Sequence, residues 1–396
     1  MKTKLCVLFG GKSSEHEVSC MSAYNVLKNL DKEKYEIIKF GITKTGATWL
    51  YTGDDESIKD GTWETHDCTA CVISHCPKTE GLIKLLPDGT FEKIKVDVFF
   101  PVLHGKNGED GTIQGFFEFL RLPYVGCDII SSAVGMDKAV FKDVLAAAGL
   151  PVLPCVRFYS KEYFHKKEEI LKKIETEIGL PVIVKPANLG SSVGISKAST
   201  KEELLTAIDL SCSFADKILV ERAVTGIREI NCSVLGDYDD CEASVCEEPI
   251  MHDDILSFED KYLGGGKAKG GSKGMTSLSR KLPAEITEEK AEEIRTLSKN
   301  IFKALGGCGI ARIDYILDTE DNDRVYANEI NTIPGSLAFY LWEASGIKYA
   351  DLLDRAVALA FKRKRTRDAL NFTFESNILS GVHDLSGAKG SKGSKC

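Results

Sequence analysis

The sequence predicts an α/β protein made of several subdomains, and three observations carry that expectation. Apolar runs of strand length alternate with helical stretches through the first third of the chain. Further along, the strand-like Pro181-Val182-Ile183-Val184-Lys185 runs straight into a turn rich in Gly and Ser. The length of 396 residues suggests roughly two to four domains.

Taken in order, Leu5 to Phe9 reads as the first strand, and Ser19 as the cap of a helix running to about Leu30. Tyr35 to Ile42 is strand-like, while residues 44–94 are turn-rich and expected to be less regular. Lys95 to Leu103 contains Val96, Val98, Phe99, Phe100, Val102 and Leu103, which suits a buried parallel strand. Asp110-Gly111 then leads into a helix ending near Leu120. Strand–helix alternation of this kind implies a layered α/β unit that binds ligands at the strands' C-terminal ends. We assign this first unit to residues 1–130.

A second unit is assigned to 131–216, with a helix from Met136 to Gly149, the PVIVK strand, and a helix over 199–210 capped by Ser199 or Thr200. The third, 217–365, is expected to hold strands at 217–221, 229–235, 310–317 and 324–330, and helices over about 285–305 and 349–363. Its Gly- and Lys-rich stretch, 264–274, is too polar to pack and places a mobile loop at about 255–277. Residues 366–396 end in Gly387-Ala388-Lys389-Gly390-Ser391-Lys392-Gly393-Ser394-Lys395, a low-complexity tail.

Composition narrows the function. There are 51 Lys and Arg against 59 Asp and Glu, a net charge of −8. The resulting pI near 5.6 argues against a dedicated nucleic-acid binder. No uncharged apolar run approaches the ~20 residues needed to span a bilayer, so membrane insertion is not expected. The N-terminal apolar stretch ends at Gly10-Gly11-Lys12, too soon for an export signal, and a cytoplasmic location follows. The 13 cysteines are scattered and expected to be reduced. Cys68, Cys71, His75 and Cys76 could ligate zinc, but they crowd into nine residues where structural sites use separated pairs. A strand is the better reading there.

Two glycine-rich stretches fail as nucleotide motifs. Gly11-Lys12-Ser13 has Cys6 where a phosphate loop needs Gly, and Gly264-Gly265-Gly266 is followed by Lys269 where the dinucleotide pattern needs Gly. The segment Lys185 to Gly194 is more informative. A lysine at a strand end meets a loop of two glycines and two serines, which can offer backbone N–H groups and hydroxyls to phosphate.

The acidic constellation is stronger. Arg312 and Asp314 are two apart in a strand, so both side chains share a face, with Ile313 and Tyr315 on the other. Glu329 and Asn331 stand in the same relation. Pairing the two strands antiparallel would gather Asp314, Glu329 and Asn331 beside Arg312. Three hard oxygen donors suit Mg²⁺ held partly by nucleotide phosphates.

With these blocks in view, the span from about residue 4 to 363 resembles the D-alanine–D-alanine ligase family of the ATP-grasp superfamily. The resemblance rests on Phe9 to Ser19, Leu103-His104-Gly105 with Gly108 to Gly111, Met136-Asp137-Lys138, Val184 to Gly194, Asp260-Lys261-Tyr262, Ala311 to Asp314 and Asn328 to Gly335. It implies three α/β subdomains with ATP gripped between the second and third. It also implies a two-step reaction: a D-alanine carboxylate attacks the γ-phosphate of ATP, and the amine of a second amino acid then displaces phosphate from the acyl phosphate. By resemblance, Lys138, Lys185 and Lys261 contact ATP phosphates, Glu221 the adenine and Glu229 the ribose. Asp314, Glu329 and Asn331 hold two Mg²⁺ ions, for which Mn²⁺ can substitute, and Arg312 stabilises the transferring phosphoryl group. Glu15 matches the carboxylate that holds the first ammonium, and His104 a residue near the first carboxylate. Ser191 matches a serine linked to Tyr262 on the mobile loop. Taken singly, Glu15 could instead cap a helix, and His104 could satisfy a turn. A homodimer is also implied.

Two departures bear on the acceptor. After Gly335 the chain reads Ser336-Leu337-Ala338-Phe339-Tyr340, about four residues shorter than the resemblance implies and more apolar. Ser336 is the candidate to replace the missing hydroxyl donors. The mobile loop has Ile255-Leu256-Ser257-Phe258 before Tyr262 and a longer Gly/Lys segment after it. The leading expectation is D-alanyl-D-alanine synthesis for peptidoglycan precursors. The alternatives are another acceptor, such as D-serine or a larger amine, or a non-catalytic nucleotide-binding protein.

Overall fold

The computed structural model describes residues 1–76, 78–190, 193–250 and 280–370. Ser191, Lys261, Tyr262, the expected loop at 255–277 and the tail beyond 370 therefore lie outside the described residues.

The first sheet is built around β1 (Thr3–Gly10), which pairs in parallel with β2 (Tyr35–Ile42) and β7 (Val98–Pro101). Leu5, Val7 and Phe9 enter one core cluster while Cys6 and Leu8 enter another, so both faces of the strand are buried. That explains its continuous apolar run. At its end Gly10 adopts φ +85°, and a Cβ there would meet the Ile42 carbonyl oxygen at 2.2 Å.

Helix α1 (His16–Asn29) begins three residues before the expected cap, which corrects the reading of Ser19. Ser19 lies inside the helix. Its Oγ accepts from the Gly10 N–H at 2.9 Å and donates to the Val102 carbonyl, tying α1 to β1 and to the residue that follows β7. Residues 44–94, expected to be irregular, contain β3 (Thr48–Tyr51), α2 (Asp55–Lys59), β4 (Cys68–Ile73), β5 (Gly81–Leu85) and β6 (Phe91–Lys95). They extend the sheet outward in the order β6-β5-β4-β3-β2-β1-β7. These strands are short and partly exposed, so their hydrophobic pattern is weak. Cys68 and Cys71 sit in β4, and no group of three His, Cys, Asp or Glu side chains placed to hold a metal ion occurs among the described residues. After β7, α3 (Thr112–Leu120) ends where expected.

The helix read as Met136–Gly149 is α5 (Lys138–Ala147), and a further helix, α4 (Ile129–Met136), precedes it. Asp137 separates them because its carboxylate accepts from the Ala139 and Val140 N–H groups, each at 3.1 Å, and so caps α5.

The second sheet is antiparallel, in the order β10 (Ser196–Ala198), β9 (Val182–Pro186), β11 (Lys217–Arg222), β8 (Cys155–Tyr159). Helices α6 (Ser160–Glu177) and α7 (Lys201–Phe214) cover it, and Thr200 rather than Ser199 caps α7. Strand β11 was expected to open the third unit. It pairs into the second sheet instead, with Leu219 opposite Lys185.

The third sheet runs β14 (Arg280–Lys281), β13 (Cys241–Pro249), β12 (Ile227–Gly236), β15 (Gly309–Asp318), β16 (Arg324–Asn331), all antiparallel. Helix α8 (Glu288–Ala304) packs Ile294, Ile301 and Phe302 into the core beneath it. A left-handed turn, Gly335–Ala338, leads into α9 (Phe339–Ala344). The last helix among the described residues, α10 (Tyr349–Asp368), returns to the first sheet. Its Leu352, Leu353, Ala356 and Val357 share one core with Leu5, Val7 and Phe9.

Candidate active site

The site starts with a register. Glu247 of β13 lies opposite Asn231 of β12, Asn231 opposite Asp314 of β15, and Asp314 opposite Glu329 of β16. Four polar side chains therefore form one row across four strands. Arg312 lies opposite Asn331 one step along the same face. Ile313 and Tyr315 point the other way into the core, as the two-residue alternation predicts. The Arg312 guanidinium forks the Asp314 carboxylate, with Nε–Oδ1 at 2.6 Å and Nη2–Oδ2 at 2.7 Å. Asn331 Nδ2 donates to the same carboxylate at 3.0 Å.

The second wall comes from the first sheet's C-terminal edge. Glu15 is buried at the start of α1 and its side chain makes no capping bond, so it is not spent on the helix. It lies between two glycines: a Cβ on Gly105 would come within 3.1 Å of one carboxylate oxygen, and a Cβ on Gly190 within 3.0 Å of the other. Ser13 fixes the loop, its Oγ donating to the His104 carbonyl at 2.8 Å and accepting from the Glu15 N–H at 3.0 Å. The His104 side chain is not spent on its own turn either. Its Nε2 meets Ser22 Oγ at 2.9 Å. Burial pushes the imidazole down to about 4, so it is neutral near pH 7.

A third group comes from α5 and the second sheet. Lys138 Nζ reaches Glu329 at 3.2 Å and the Leu189 carbonyl at 3.0 Å. Lys185 pairs with Glu221 and donates to Asn328 Oδ1 at 3.2 Å, while Lys142 reaches the other oxygen of Glu221 at 3.0 Å. Burial opposes charge on Glu221, but Lys142 and Lys185 outweigh it and hold the carboxyl near 2. Burial in turn lowers Lys185 from the ordinary lysine range, against the pull of Glu221.

One cavity joins these walls. Glu15, His104, Lys138, Glu229 and Gly335 line it together with Arg312, Asp314, Glu329 and Asn331. Lys185 and Glu221 are buried beside it and connect through Asn328, which does line it. Ser336 does not take the place expected of it. Its Oγ accepts from Asn25 Nδ2 of α1 at 2.9 Å, and its N–H donates to Ser22 Oγ at 2.9 Å. The hydroxyl is turned toward α1, away from the cavity wall.

Several cavity residues were not singled out in the sequence. Glu109 accepts from the Gly105 N–H at 2.8 Å and the Ile333 N–H at 3.0 Å, joining the two loops. Burial and the neighbouring Glu15 push its carboxyl up to about 8. Glu247 is almost fully buried and accepts from Asn231 Nδ2 at 3.1 Å, Arg280 Nη1 at 3.1 Å and the Tyr340 hydroxyl at 2.5 Å. Asn231 was findable, since it stands two residues from Glu229. Glu247, Arg280 and Tyr340 were not, because strand register is invisible in one sequence.

The donor set suits a divalent ion shared with a nucleotide. Asp314, Glu329 and Asn331 offer two carboxylates and an amide on one sheet face, which is too few hard donors for an all-protein cage. Lys138 beside Glu329 adds charge for phosphate.

Three sheets meeting at such a face define an ATP-using ligase of the ATP-grasp fold, one that forms a C–N bond with the help of a divalent metal ion. The chain belongs to the D-alanine–D-alanine ligase family: the profile "D-ala D-ala ligase N-terminus" matches residues 4–127, and "D-ala D-ala ligase C-terminus" matches 144–358. It is similar to the D-alanine–D-alanine ligase of Caldicellulosiruptor bescii, 43% identical over 378 residues, covering 94% of this chain and 99% of that one. It is 46% identical over 363 residues to the enzyme of that name from Thermoanaerobacter sp., covering 91% and 96%. Among solved structures, it resembles the D-Ala:D-Ser ligase VanG of Enterococcus faecalis, with TM-score 0.78, 33% identity and coverage of 91% and 100%. It also resembles the D-alanine–D-alanine ligase of Coxiella burnetii, with TM-score 0.76, 30% identity and coverage of 93% and 97%.

Proposed function

We propose that this chain ligates two D-alanines to D-alanyl-D-alanine, driven by ATP, for peptidoglycan precursor synthesis in the cytoplasm. The observation that supports it most is the single cavity joining Glu15 and His104 of the first sheet's edge to Lys138, Arg312, Asp314 and Glu329. An amino-acid site and a phosphate site must touch for a carboxylate to attack ATP.

In this reading Glu15 holds the first D-alanine's ammonium, and neutral His104 faces its carboxylate without adding a charge that would blunt its attack. A carboxylate oxygen attacks the γ-phosphorus, and ADP leaves. Lys138 and Lys185 neutralise phosphate charge, with Lys261 a further contact. Glu221 takes the adenine amino group and Glu229 the ribose hydroxyls. Asp314, Glu329 and Asn331 hold magnesium, two ions with manganese a substitute, whose chemistry is to neutralise charge on phosphate oxygens. The second amine then adds to the acyl carbon. Arg312 stabilises the oxyanion, and phosphate departs as the C–N bond is completed. Ser191 and Tyr262 orient the first amino acid, while the Gly335 segment borders the second. A division into three units near 1–130, 131–216 and 217–365, with the last boundary moved beyond β11 to follow its pairing in the second sheet, and a homodimer, belong to the same proposal.

D-Serine as acceptor is the second reading. The shortened turn after Gly335 and the likeness to a D-Ala:D-Ser ligase favour it. The test is phosphate release with ATP, Mg²⁺ and an equimolar mixture of D-alanine and D-serine, with products weighed by mass spectrometry. D-Alanyl-D-alanine as the main product is expected. A dominant D-alanyl-D-serine product would replace the acceptor assignment, and absence of phosphate release would remove the ligase assignment.

A further inference from the structure

Resting on the reading that Glu221 takes the adenine amino group, we propose that Lys142 is a positioning residue for adenine recognition, its ammonium staying on Glu221 and holding that carboxylate as an acceptor while Lys185 serves the phosphates.

The cluster around Glu221 carries one cation more than it needs. Lys142 is 1% exposed, Lys185 4% and Glu221 2%. Lys142 Nζ lies 3.0 Å from one oxygen of Glu221, and Lys185 Nζ pairs with the other. Two ammonium groups on one carboxylate leave an excess positive charge in a place sealed from water. A buried charge without a counter-ion is costly, and one lysine would already have balanced Glu221. The surplus fits a site that an anion completes.

Geometry divides the work between the two lysines. Ile183 of β9 lies opposite Glu221, and Lys185 is two residues further along, so its side chain shares the sheet face of Glu221. Lys185 also donates to Asn328 Oδ1 at 3.2 Å, and Asn328 lines the cavity. It therefore stands between Glu221 and the phosphate side. Lys142 comes from α5, one turn after Lys138 and on the same helix face. Lys138 lines the cavity and reaches Glu329, whereas Lys142 does not line the cavity. Phosphates that approach Lys138 and Lys185 attract the Lys185 ammonium and repel the Glu221 carboxylate. Lys142 stays behind as the counter-ion of Glu221. Burial raises the Glu221 carboxyl, and Lys142, ahead of Lys185, opposes it, so that the group is held at about 2. An ionised carboxylate only accepts hydrogen bonds, which matches an amino donor.

The test measures nucleotide affinity by calorimetry, with the whole chain and Mg²⁺. The probes are ATP and purine riboside triphosphate, which lacks the exocyclic amino group. The parent should bind ATP about tenfold more tightly than the analogue, or better. In Lys142→Met and Lys142→Gln, ATP affinity should fall about tenfold or more, while analogue affinity stays within about threefold of the parent's. In a Glu221→Gln background, Lys142→Met should shift either affinity by no more than about threefold, since the two residues act as one unit. Equal loss of both nucleotides in both variants would overturn the proposal, as would ATP affinity within about twofold of the parent's in both. If the parent binds the two nucleotides alike and Glu221→Gln changes nothing, the adenine assignment of Glu221 fails and takes the inference with it. Phosphate release by the parent with D-alanine tests the ligase reading separately, because the affinities do not depend on turnover. Retained binding of the analogue also reports that the variants are folded.

Discussion

At the site, the two-residue spacing of charged side chains decides which chemistry the protein can perform. Arg312, Asp314, Glu329 and Asn331 were legible because a strand returns to the same face every second residue. Their neighbour Glu247 was not, since nothing in the sequence says which strand lies beside which. Replacing Asp314 or Glu329 with alanine should lower phosphate release at least a hundredfold, with the circular dichroism spectrum unchanged. Retained turnover in both variants would refute their role. Two buried groups contribute to the pH response with opposite signs. The folded state holds His104 near 4, below the 6.5 of an exposed imidazole, so the unfolded chain takes up a proton first. Stability from this residue is present above about 6.5 and is lost as pH falls toward 4. Glu109 has the opposite sign. Its folded value near 8 exceeds the 4.5 of a free carboxyl, so stability is present at low pH and is lost as pH rises through 8. Calorimetric melting against pH should show a flatter acid limb in His104→Gln and a flatter alkaline limb in Glu109→Gln.

Among the elements, α1 and the turn Gly335–Ala338 carry the least obvious constraints. Ser22 serves two partners, the His104 ring and the Ser336 N–H, so one hydroxyl links the proposed pocket of the first amino acid to the turn Gly335–Ala338. Ser22→Ala leaves both without that partner and should cost about 1–3 kcal/mol, read from the urea midpoint. Ser336, Leu337 and Ala338 all take left-handed backbone angles, with φ between 48° and 58°. For non-glycine residues that costs roughly 1 kcal/mol each. Ala338→Gly should therefore raise stability by about 1 kcal/mol; a loss of stability would show that the Ala338 methyl, fully buried, contributes more than the strain it bears. The shortening of this turn was visible in the sequence, but its handedness and its docking on α1 were not. Likewise, β3 to β6 escaped notice because strands that bury little surface leave little periodic signal. Asp137, by contrast, could have been read as a cap and would have divided α4 from α5.

Over the whole molecule, the first sheet and the last helix are held together by more than apolar packing. Arg363 of α10 donates to the Gly126 carbonyl at 2.5 Å and the Tyr124 carbonyl at 2.6 Å, with its guanidinium carbon 4.0 Å from the centre of the Tyr124 ring. Asp354 of the same helix accepts from the Tyr35 hydroxyl at 2.8 Å. Arg363→Ala should cost about 3 kcal/mol, from two charge-assisted bonds and a ring contact, and lower the urea midpoint of the whole chain. The α/β class and the succession of strands were readable from composition and periodicity. The closure of the chain on itself was not, since it depends on contacts between residues more than three hundred positions apart.

That closure has a consequence for synthesis on the ribosome. Translation delivers α1 and β7 early and α10 late, yet Val98 and Phe100 of β7 and Val26 and Leu27 of α1 share their core with Leu352, Leu353 and Val357. For most of elongation, the part of that apolar core which α10 covers stays unroofed. A chaperone that shields such surfaces should be found on ribosome-bound chains stalled before residue 349 and absent from those stalled after the whole of α10 has emerged.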